Sequence, residues 1–473
     1  MTKPNELTLV DAARALRAKT LSVRELWDAC AEAAQAKNPE LHAYLEIFPA
    51  DVAAIDAAQK RIDTEGEAAP MLCGIPLAVK DNILIEGNIA SAASKMLENH
   101  RAPYDATVIQ KLRKAGALFL GRTNMDEFAL GGSTENSAFG VTKNPHDPSR
   151  VSGGTSGGSA AAVAAHMAIA ALGTDTGGSV RNPASYCGVV GLKPTYGGVS
   201  RSGVIAAASS FDQVGPITKT VEDARILLEA IAGKDEKDST TIPAGLYATT
   251  PKEVRTIGVP THLFADALDP DVLERFTTTV KSLGYEVKEI ELPSATPALA
   301  AYYIINFAEV STNLARFDGI RYGHAARGAT PLDDYLLSRT EGFGKETKRR
   351  ILLGTYVLSS GYIDAYYRKA NAARAALRRD FEKAFATVDL IATPTMPTPA
   401  FVVGAKSDPL SLYLEDVFTV LANLTGMPAL SVPMGTLSRE GKALPVGIHF
   451  TAPHQAEDRL FTIGAVGEKI HSV

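Results

Sequence analysis

The chain has 473 residues, of which 45% are hydrophobic and 21% are charged. This balance is typical of a globular protein and excludes long-range disorder. The formal net charge of −5 excludes a chain-wide basic surface for nucleic acid, so any RNA would be held locally or by a partner. At about 150 residues per domain, the length alone suggests about three domains.

The first third of the chain alternates helical and extended patterns. Residues 7–60 predict two or three amphipathic helices, one of which begins at Val23, behind the capping box formed by Ser22 and Glu25. The apolar run 72–79 predicts a buried strand that ends at Lys80. A helix over 105–115 and a strand over 117–121 follow, and then residues 131–155, rich in Gly, Ser, Asn and Pro, predict a loop.

The alternation continues to the C-terminus. We expect a helix over 156–166, a strand over 168–174, a helix capped by Thr220 that ends near Gly233, and a linker over 234–253. Further strands are predicted over 255–259 and 285–292 and near residues 390, 430 and 448, with helices over 271–283 and 457–470. Two helical stretches, near 295–316 and 345–387, interrupt this pattern. The pattern predicts an α/β fold with a mixed, central β-sheet covered by helices on both faces.

Cysteine usage and hydropathy indicate the compartment. Cys30, Cys73 and Cys187 are far apart and belong to no metal-ligand spacing, so we expect neither a disulfide framework nor a metal site. The N-terminal residues lack the apolar core of a secretion signal, and the longest apolar stretch, 160–172, is too short to span a bilayer. These features predict a cytoplasmic protein without a membrane segment.

Glycine is concentrated where the chemistry is expected. Residues 131–203 contain fifteen of the 39 glycines, where an even distribution would place about six. Within this window, residues 152–159 precede a predicted helix, so their N–H groups could bind an anion or simply form a capped turn. Gly154–Gly158 matches the G-x-S-x-G pattern, but no strand precedes it, and no Gly-Lys-Ser/Thr follows these glycines to make a P-loop.

Two further segments contain candidate catalytic groups. Lys80 directly follows an apolar strand; burial there would lower its pKa and supply a neutral amine, but it could equally reach solvent or pair with Asp81. Ser179 follows two glycines in a tight turn that could expose its hydroxyl. The N–H groups of that turn, which belong to Thr176, Gly177 and Gly178, could converge as an oxyanion hole, or the segment could be a simple strand-to-loop turn.

Taken together, these segments resemble the amidase signature family over nearly the whole chain. Five stretches carry the resemblance to its glutaminase subfamily, which serves tRNA-dependent amidotransferases: residues 121–136, 188–196, 315–322, 357–362 and 422–428. The resemblance implies a Ser–cis-Ser–Lys triad, with Lys80 as base and Ser179 as nucleophile. The bridging position is Thr155 in this chain, where the family has serine; threonine keeps the hydroxyl but has fewer rotamers. Ser156 also has a hydroxyl, but its register does not match the bridge.

The resemblance also implies the substrate and its contacts. Glutamine would be hydrolysed through an acyl-Ser179 intermediate. Arg350 would bind its α-carboxylate, with Arg349 as the neighbouring alternative, Asp416 would bind its α-ammonium, and Tyr302 would line the pocket. Each of these side chains could instead form a surface ion pair or a core contact.

Finally, the resemblance implies an assembly. The ammonia would pass to a second protein chain that amidates misacylated Asp-tRNA(Asn) or Glu-tRNA(Gln), so we expect B and C partner subunits. ATP, magnesium and most tRNA contacts would belong to the partner, and no cofactor to this chain. Because the site residues span most of the sequence, we expect one large domain: a helical segment over 1–70 packed on a core over 71–473. A free-standing amidase for another small amide and a non-catalytic scaffold are the alternatives.

Overall fold

A computed structural model describes residues 2–243, 253–264, 268–406 and 408–471. The α-helices are α1 Leu9–Arg17, α2 Val23–Leu41, α3 Val52–Glu65, α4 Thr107–Lys114, α5 Gly157–Ala164, α6 Arg181–Cys187, α7 Val221–Ile231, α8 Pro270–Ser282, α9 Ala298–Asn313, α10 Pro331–Gly342, α11 Lys345–Leu358, α12 Lys369–Ala384, α13 Pro409–Tyr413, α14 Val420–Thr425 and α15 Glu457–His471. A π-helical turn, Asp364–Arg368, precedes α12.

The strands are β1 Tyr44–Ile47, β2 Pro76–Lys80, β3 Leu118–Thr123, β4 Lys143–Asn144, β5 Asp147–Val151, β6 Ala170–Asp175, β7 Val190–Lys193, β8 Gln213–Thr218, β9 Thr256–Val259, β10 Glu286–Glu289, β11 Leu390–Pro394, β12 Ala429–Arg439 and β13 Lys442–Thr451. Eleven of them form one sheet in the order β1-β3-β2-β6-β8-β7-β12-β13-β11-β9-β10. β2 runs parallel to β3 and β6, whereas β8 runs antiparallel to β6 and β7. The predicted α/β fold, one large domain with a mixed central sheet flanked by helices, is confirmed.

The strands in the middle of the sheet bring the predicted site residues together. Every residue of β2, β6 and β8 is buried, which suits their continuous small and apolar runs. β2 and β6 are parallel neighbours, so their carboxyl ends lie at the same edge of the sheet. Lys80 and Asp175 are the last residues of these two strands. The parallel pairing therefore brings the predicted base and the predicted nucleophile loop to one edge.

Local signals predicted several boundaries correctly. The capping box at Ser22 and Glu25 is present, and α2 begins at Val23. Thr220 caps α7, which ends at Ile231. The strand predicted over 72–79 begins only at Pro76, and the one predicted over 285–292 is confined to Glu286–Glu289. None of the helices in the described ranges is long and apolar enough to cross a membrane.

Three expectations about segments between the main helices and strands were incomplete. Residues 44–47 form β1, an unpredicted strand in the N-terminal helical stretch that pairs antiparallel with β3. The predicted loop 131–155 contains the β4–β5 hairpin. The linker predicted over 234–253 is described only to residue 243 and at residue 253; residues 244–252 lie outside the described ranges. Its first part is bound to the core, because Asp235 accepts hydrogen bonds from Thr107 and Ser200 (both 2.6 Å).

Candidate active site

Lys80 is fully buried at the end of β2. Its Nζ donates to Thr155 Oγ1 (2.7 Å), Ser156 Oγ (2.8 Å) and the Thr174 carbonyl (3.2 Å). Burial lowers the pKa of Lys80 to about 7, although nearby carboxylates oppose the shift. Asp81 pairs with Arg122 (2.9 Å) and not with Lys80. Lys80 therefore neither reaches solvent nor pairs with Asp81, and a large fraction of it is neutral amine near pH 7.

Two neighbouring hydroxyls contact Lys80, and their other contacts distinguish them. Ser156 Oγ accepts from Lys80 and from the Thr174 N–H (3.3 Å), and donates to the Thr174 carbonyl (3.2 Å). This uses the one donor and both acceptor positions of a hydroxyl. Thr155 Oγ1 makes no hydrogen bond other than that from Lys80 within the described ranges. Its own proton is therefore available for another partner, which favours Thr155 over Ser156 as the bridge. The Gly154–Thr155 peptide bond is cis.

The nucleophile loop joins β6 to α6. Ser179 is 7% exposed, so its hydroxyl lies at the edge of accessible space. Gly178 adopts a φ of +134°, and a Cβ there would lie 2.4 Å from Thr419 Oγ1. The Ser156 N–H donates to the Ser179 carbonyl (3.1 Å), which ties this loop to the one that contains Thr155. The two glycine-rich turns thus form a single structure.

Asp175 and Arg181 determine the shape of that loop, a role that was not predicted from the sequence. Asp175 accepts from the N–H groups of Gly178 (3.0 Å) and Val180 (3.1 Å) and pairs with Arg181 (2.9 Å). Burial would raise the pKa of Asp175, but Arg181 and the hydrogen bonds outweigh it and hold the pKa well below its usual range. The available signal was the presence of two opposite charges flanking an otherwise uncharged turn.

The same contacts alter the predicted oxyanion hole. The Gly178 N–H was predicted to be one of the donors. It already donates to Asp175, so it is not free to donate to an oxyanion. Within the described residues, the N–H groups of Thr176, Gly177 and Ser179 make no hydrogen bond. These three N–H groups are therefore free to donate to an oxyanion, whereas the Gly178 N–H is not.

Asp126 and Glu127 hold the surrounding loops in place, and this is what the motif at 121–136 contributes structurally. Asp126 accepts from the N–H groups of Thr134 (2.9 Å) and Asn136 (3.0 Å), and its own N–H donates to the Thr155 carbonyl (3.3 Å). Glu127 accepts from the N–H of Gly344 (2.8 Å), at the start of α11. Adjacent residues thus support the bridging loop and the helix that contains Arg350.

Tyr302 connects the nucleophile loop to a charged pocket. A Cβ on Gly177 would lie 2.3 Å from the Tyr302 hydroxyl, so the ring is in direct contact with the loop. The adjacent Tyr303 donates its hydroxyl to Asp416 Oδ2 (2.6 Å). Burial raises the pKa of Asp416 to about 7, opposed by this hydrogen bond and by Arg350. The structure therefore brings the predicted pocket residues next to the predicted nucleophile.

Arg350 is the buried member of the arginine pair. Its side chain is 3% exposed, compared with 42% for Arg349. Its Nε donates to Glu346 Oε1 (2.7 Å) and its Nη1 to Asn306 Oδ1 (3.1 Å). Both arginines contact Glu346, but only Arg350 lies among the pocket tyrosines, with its guanidinium carbon 5.5 Å from the Tyr303 ring centre. The geometry favours Arg350 over Arg349 as the carboxylate ligand.

No cluster of His, Cys, Asp or Glu able to hold a metal ion occurs among the residues that the structure describes. The cluster that does occur combines a buried lysine, a bridging hydroxyl, an accessible serine and unpaired N–H groups. This combination is suited to acyl transfer from an amide or ester.

A family model described as Amidase matches residues 25–461. The chain is 51% identical to the A subunit of glutamyl-tRNA(Gln) amidotransferase from Akkermansia muciniphila, over 95% of this chain and 96% of the relative. It is 48% identical to the protein of the same name from Chromohalobacter salexigens, over 97% and 95%. The crystal structure of the corresponding protein from Thermotoga maritima superimposes with a TM-score of 0.80 at 38% identity, covering 100% of this chain and 96% of that one.

Proposed function

The chain belongs to the amidase family, and from this membership we propose that it is the glutamine-hydrolysing A subunit of a tRNA-dependent amidotransferase. One structural observation carries the proposal. Tyr302 touches the Ser179 loop while its neighbour Tyr303 binds Asp416, so an amide-cleaving group and a pair of opposite charges share one site. This is the arrangement that an amide with an α-amino acid head group requires.

The first step is attack by Ser179. Neutral Lys80 accepts the Thr155 hydroxyl proton, Thr155 accepts the Ser179 hydroxyl proton, and Ser179 Oγ bonds to the side-chain amide carbon of glutamine. The N–H groups of Thr176, Gly177 and Ser179 stabilise the resulting oxyanion. The lowered pKa of Lys80 supports this role, since an ammonium could not accept the proton.

The second step releases ammonia. The tetrahedral intermediate collapses as its C–N bond breaks, and the proton held by Lys80 returns through Thr155 to the leaving nitrogen. The product is an ester between Ser179 and the glutamyl group. Water, activated by the same relay, attacks this ester and yields glutamate and free Ser179.

The charged pocket orients the substrate. Arg350 suits the α-carboxylate because a guanidinium offers parallel N–H donors. Asp416 suits the α-ammonium, and that cation would lower the raised pKa of Asp416 and keep it ionised. A neutral, unbranched amide would gain neither interaction, so the pocket supports preference for glutamine.

The names of the relatives support a multi-subunit assembly, since each is the A subunit of an amidotransferase. We infer that B and C subunits receive the ammonia, use ATP and magnesium, contact the tRNA and amidate misacylated Glu-tRNA(Gln) or Asp-tRNA(Asn). The net charge of −5 is compatible with a protein that leaves RNA binding to its partner.

Co-purification with the partner subunits, followed by measurement of ammonia and glutamate released from glutamine, tests the proposal. We expect slow hydrolysis by the chain alone, faster hydrolysis with the partners, and none after Ser179→Ala. Absence of ammonia release by the assembled complex would refute the proposal. Full activity without partners and without preference for glutamine would instead identify a free-standing amidase.

A further inference from the structure

Arg350 is held by two acceptors on different helices. Glu346, one turn earlier on α11, accepts from Nε (2.7 Å), and Asn306 on α9 accepts from Nη1 (3.1 Å). A guanidinium can bind a carboxylate through its Nε edge or through its Nη1–Nη2 edge. Because Glu346 occupies Nε, the first mode is blocked. Nη2 donates to no group in the described part of the chain. Nη1 has two hydrogens and gives one to Asn306, so one Nη1 hydrogen and Nη2 remain for a carboxylate at the second edge.

The same Glu346 oxygen is also connected to Asp416, through two tyrosines. Oε1 accepts the Tyr413 hydroxyl (2.6 Å), and the Tyr413 ring stacks on the Tyr303 ring with 4.1 Å between centroids. Tyr303 in turn donates to Asp416 (2.6 Å). One acceptor atom therefore orients Arg350 directly and Asp416 through two stacked tyrosines.

We propose that Glu346 is a positioning residue that makes the site selective for primary amides with both an α-carboxylate and an α-ammonium. It does so by presenting only the Nη1–Nη2 edge of Arg350, at a set separation from Asp416. The inference rests on the proposed function, because it concerns recognition of the substrate by that same site. Glu346 is 7% exposed and acts through Arg350 and Tyr413, so it need not touch the substrate.

The essential property of Glu346 is its acceptor oxygen, and this separates positioning from simple charge neutralisation. Gln at this position keeps an oxygen that can accept from Arg350 and Tyr413 but has no charge. Ala removes the oxygen and frees Nε. If position is what matters, Glu346→Gln rescues what Glu346→Ala loses; if charge matters, the two variants are equally impaired.

The experiment compares glutamine kinetics in the assembled complex with labelling of Ser179 by phenylmethylsulfonyl fluoride, which has no amino-acid head group. For Glu346→Ala we expect the KM for glutamine to rise about tenfold with kcat within about twofold. For Glu346→Gln we expect KM within about threefold of the unsubstituted protein. The rate of Ser179 labelling, followed by intact mass, should be the same in all three proteins. Glu341→Gln, on the exposed side of α10, is the matched control.

Several outcomes would overturn the inference. These are an unchanged KM in Glu346→Ala, equal losses in the Ala and Gln variants, or a parallel fall in Ser179 labelling, which indicates general damage to the site. Should Glu346→Ala not fold, Tyr413→Phe keeps the ring stack but removes the hydroxyl; an unchanged KM there refutes the link to Asp416, and a rise of about threefold supports it. Failure of the proposed function is distinct, since the unsubstituted complex would then release no ammonia from glutamine.

Discussion

Replacing Thr155 by valine tests the proton relay most directly. Valine has nearly the same shape as threonine but lacks the hydroxyl that lies 2.7 Å from Lys80 Nζ. Lys80 keeps two acceptors, Ser156 Oγ at 2.8 Å and the Thr174 carbonyl at 3.2 Å, so the loss of stability should be about 1 to 2 kcal/mol. In the proposed relay, Ser179 then has no hydroxyl through which to pass its proton to Lys80.

The expected effect on catalysis is much larger than the effect on stability. Positioned acid–base groups contribute about 10² to 10⁴ to a rate, so we expect kcat/KM to fall about 10³-fold. At about 1.4 kcal/mol per factor of ten, this corresponds to about 4 kcal/mol of lost transition-state stabilisation. Thr155→Ser, which keeps the hydroxyl, should remain within about threefold or become faster.

The assay is ammonia release from glutamine by the assembled complex, with thermal unfolding measured on each variant. Ser156→Ala is the matched comparison, because it removes the other hydroxyl bound to Lys80. The donor and both acceptor positions of Ser156 are already used, so Ser156 is not expected to transfer a proton. The fold-reduction in kcat/KM for Ser156→Ala should therefore be at least about ten times smaller than for Thr155→Val. If Ser156→Ala is the more damaging change, or if Thr155→Val retains a tenth of the activity, Thr155 is not the relay.

Three further predictions follow from the buried charged groups. Because the pKa of Lys80 is about 7 and its neutral form is the base, kcat should rise with pH between about 6 and 8; a flat profile contradicts this role. Asp416→Asn should raise the KM for glutamine at least about tenfold with little change in kcat. Steady-state kinetics that show a lower kcat with an unchanged KM would disprove this. Glu127→Gln leaves one oxygen for the three groups that now donate to the carboxylate, Ser94 Oγ–H, Gly344 N–H and Thr347 Oγ1–H, so the unfolding free energy should fall by about 1 to 2 kcal/mol. A denaturation midpoint equal to that of Asp63→Asn, an exposed helix position, would refute this reasoning.

Much of the local structure could be predicted because its causes lie within a few residues. The Ser22–Glu25 capping box is such a case, since both of its hydrogen bonds close within three residues of sequence. The position of Lys80 at the end of an apolar strand and the clustering of glycine around Ser179 are also local features. They were enough to predict a buried lysine and a backbone-lined turn.

The features that were not predicted from the sequence share a different cause. β1 is a strand only because β3 supplies its hydrogen-bond partner about 75 residues later, and β5 depends in part on Phe401. Asp175 has an ordinary sequence neighbourhood, yet it is bound by Asn423, nearly 250 residues away. Nothing near any of these segments specifies its partner.

The residue types of the site, and their order along the chain, are properties of the sequence alone. Which hydroxyl has a proton to transfer, which N–H groups remain for an oxyanion, and which arginine enters the pocket are properties of the folded chain. Thr155 and Ser156, like Arg349 and Arg350, are adjacent and chemically alike. They differ in how the surrounding strands and helices bury them and use their donors and acceptors, and those contacts exist only once distant segments have packed together.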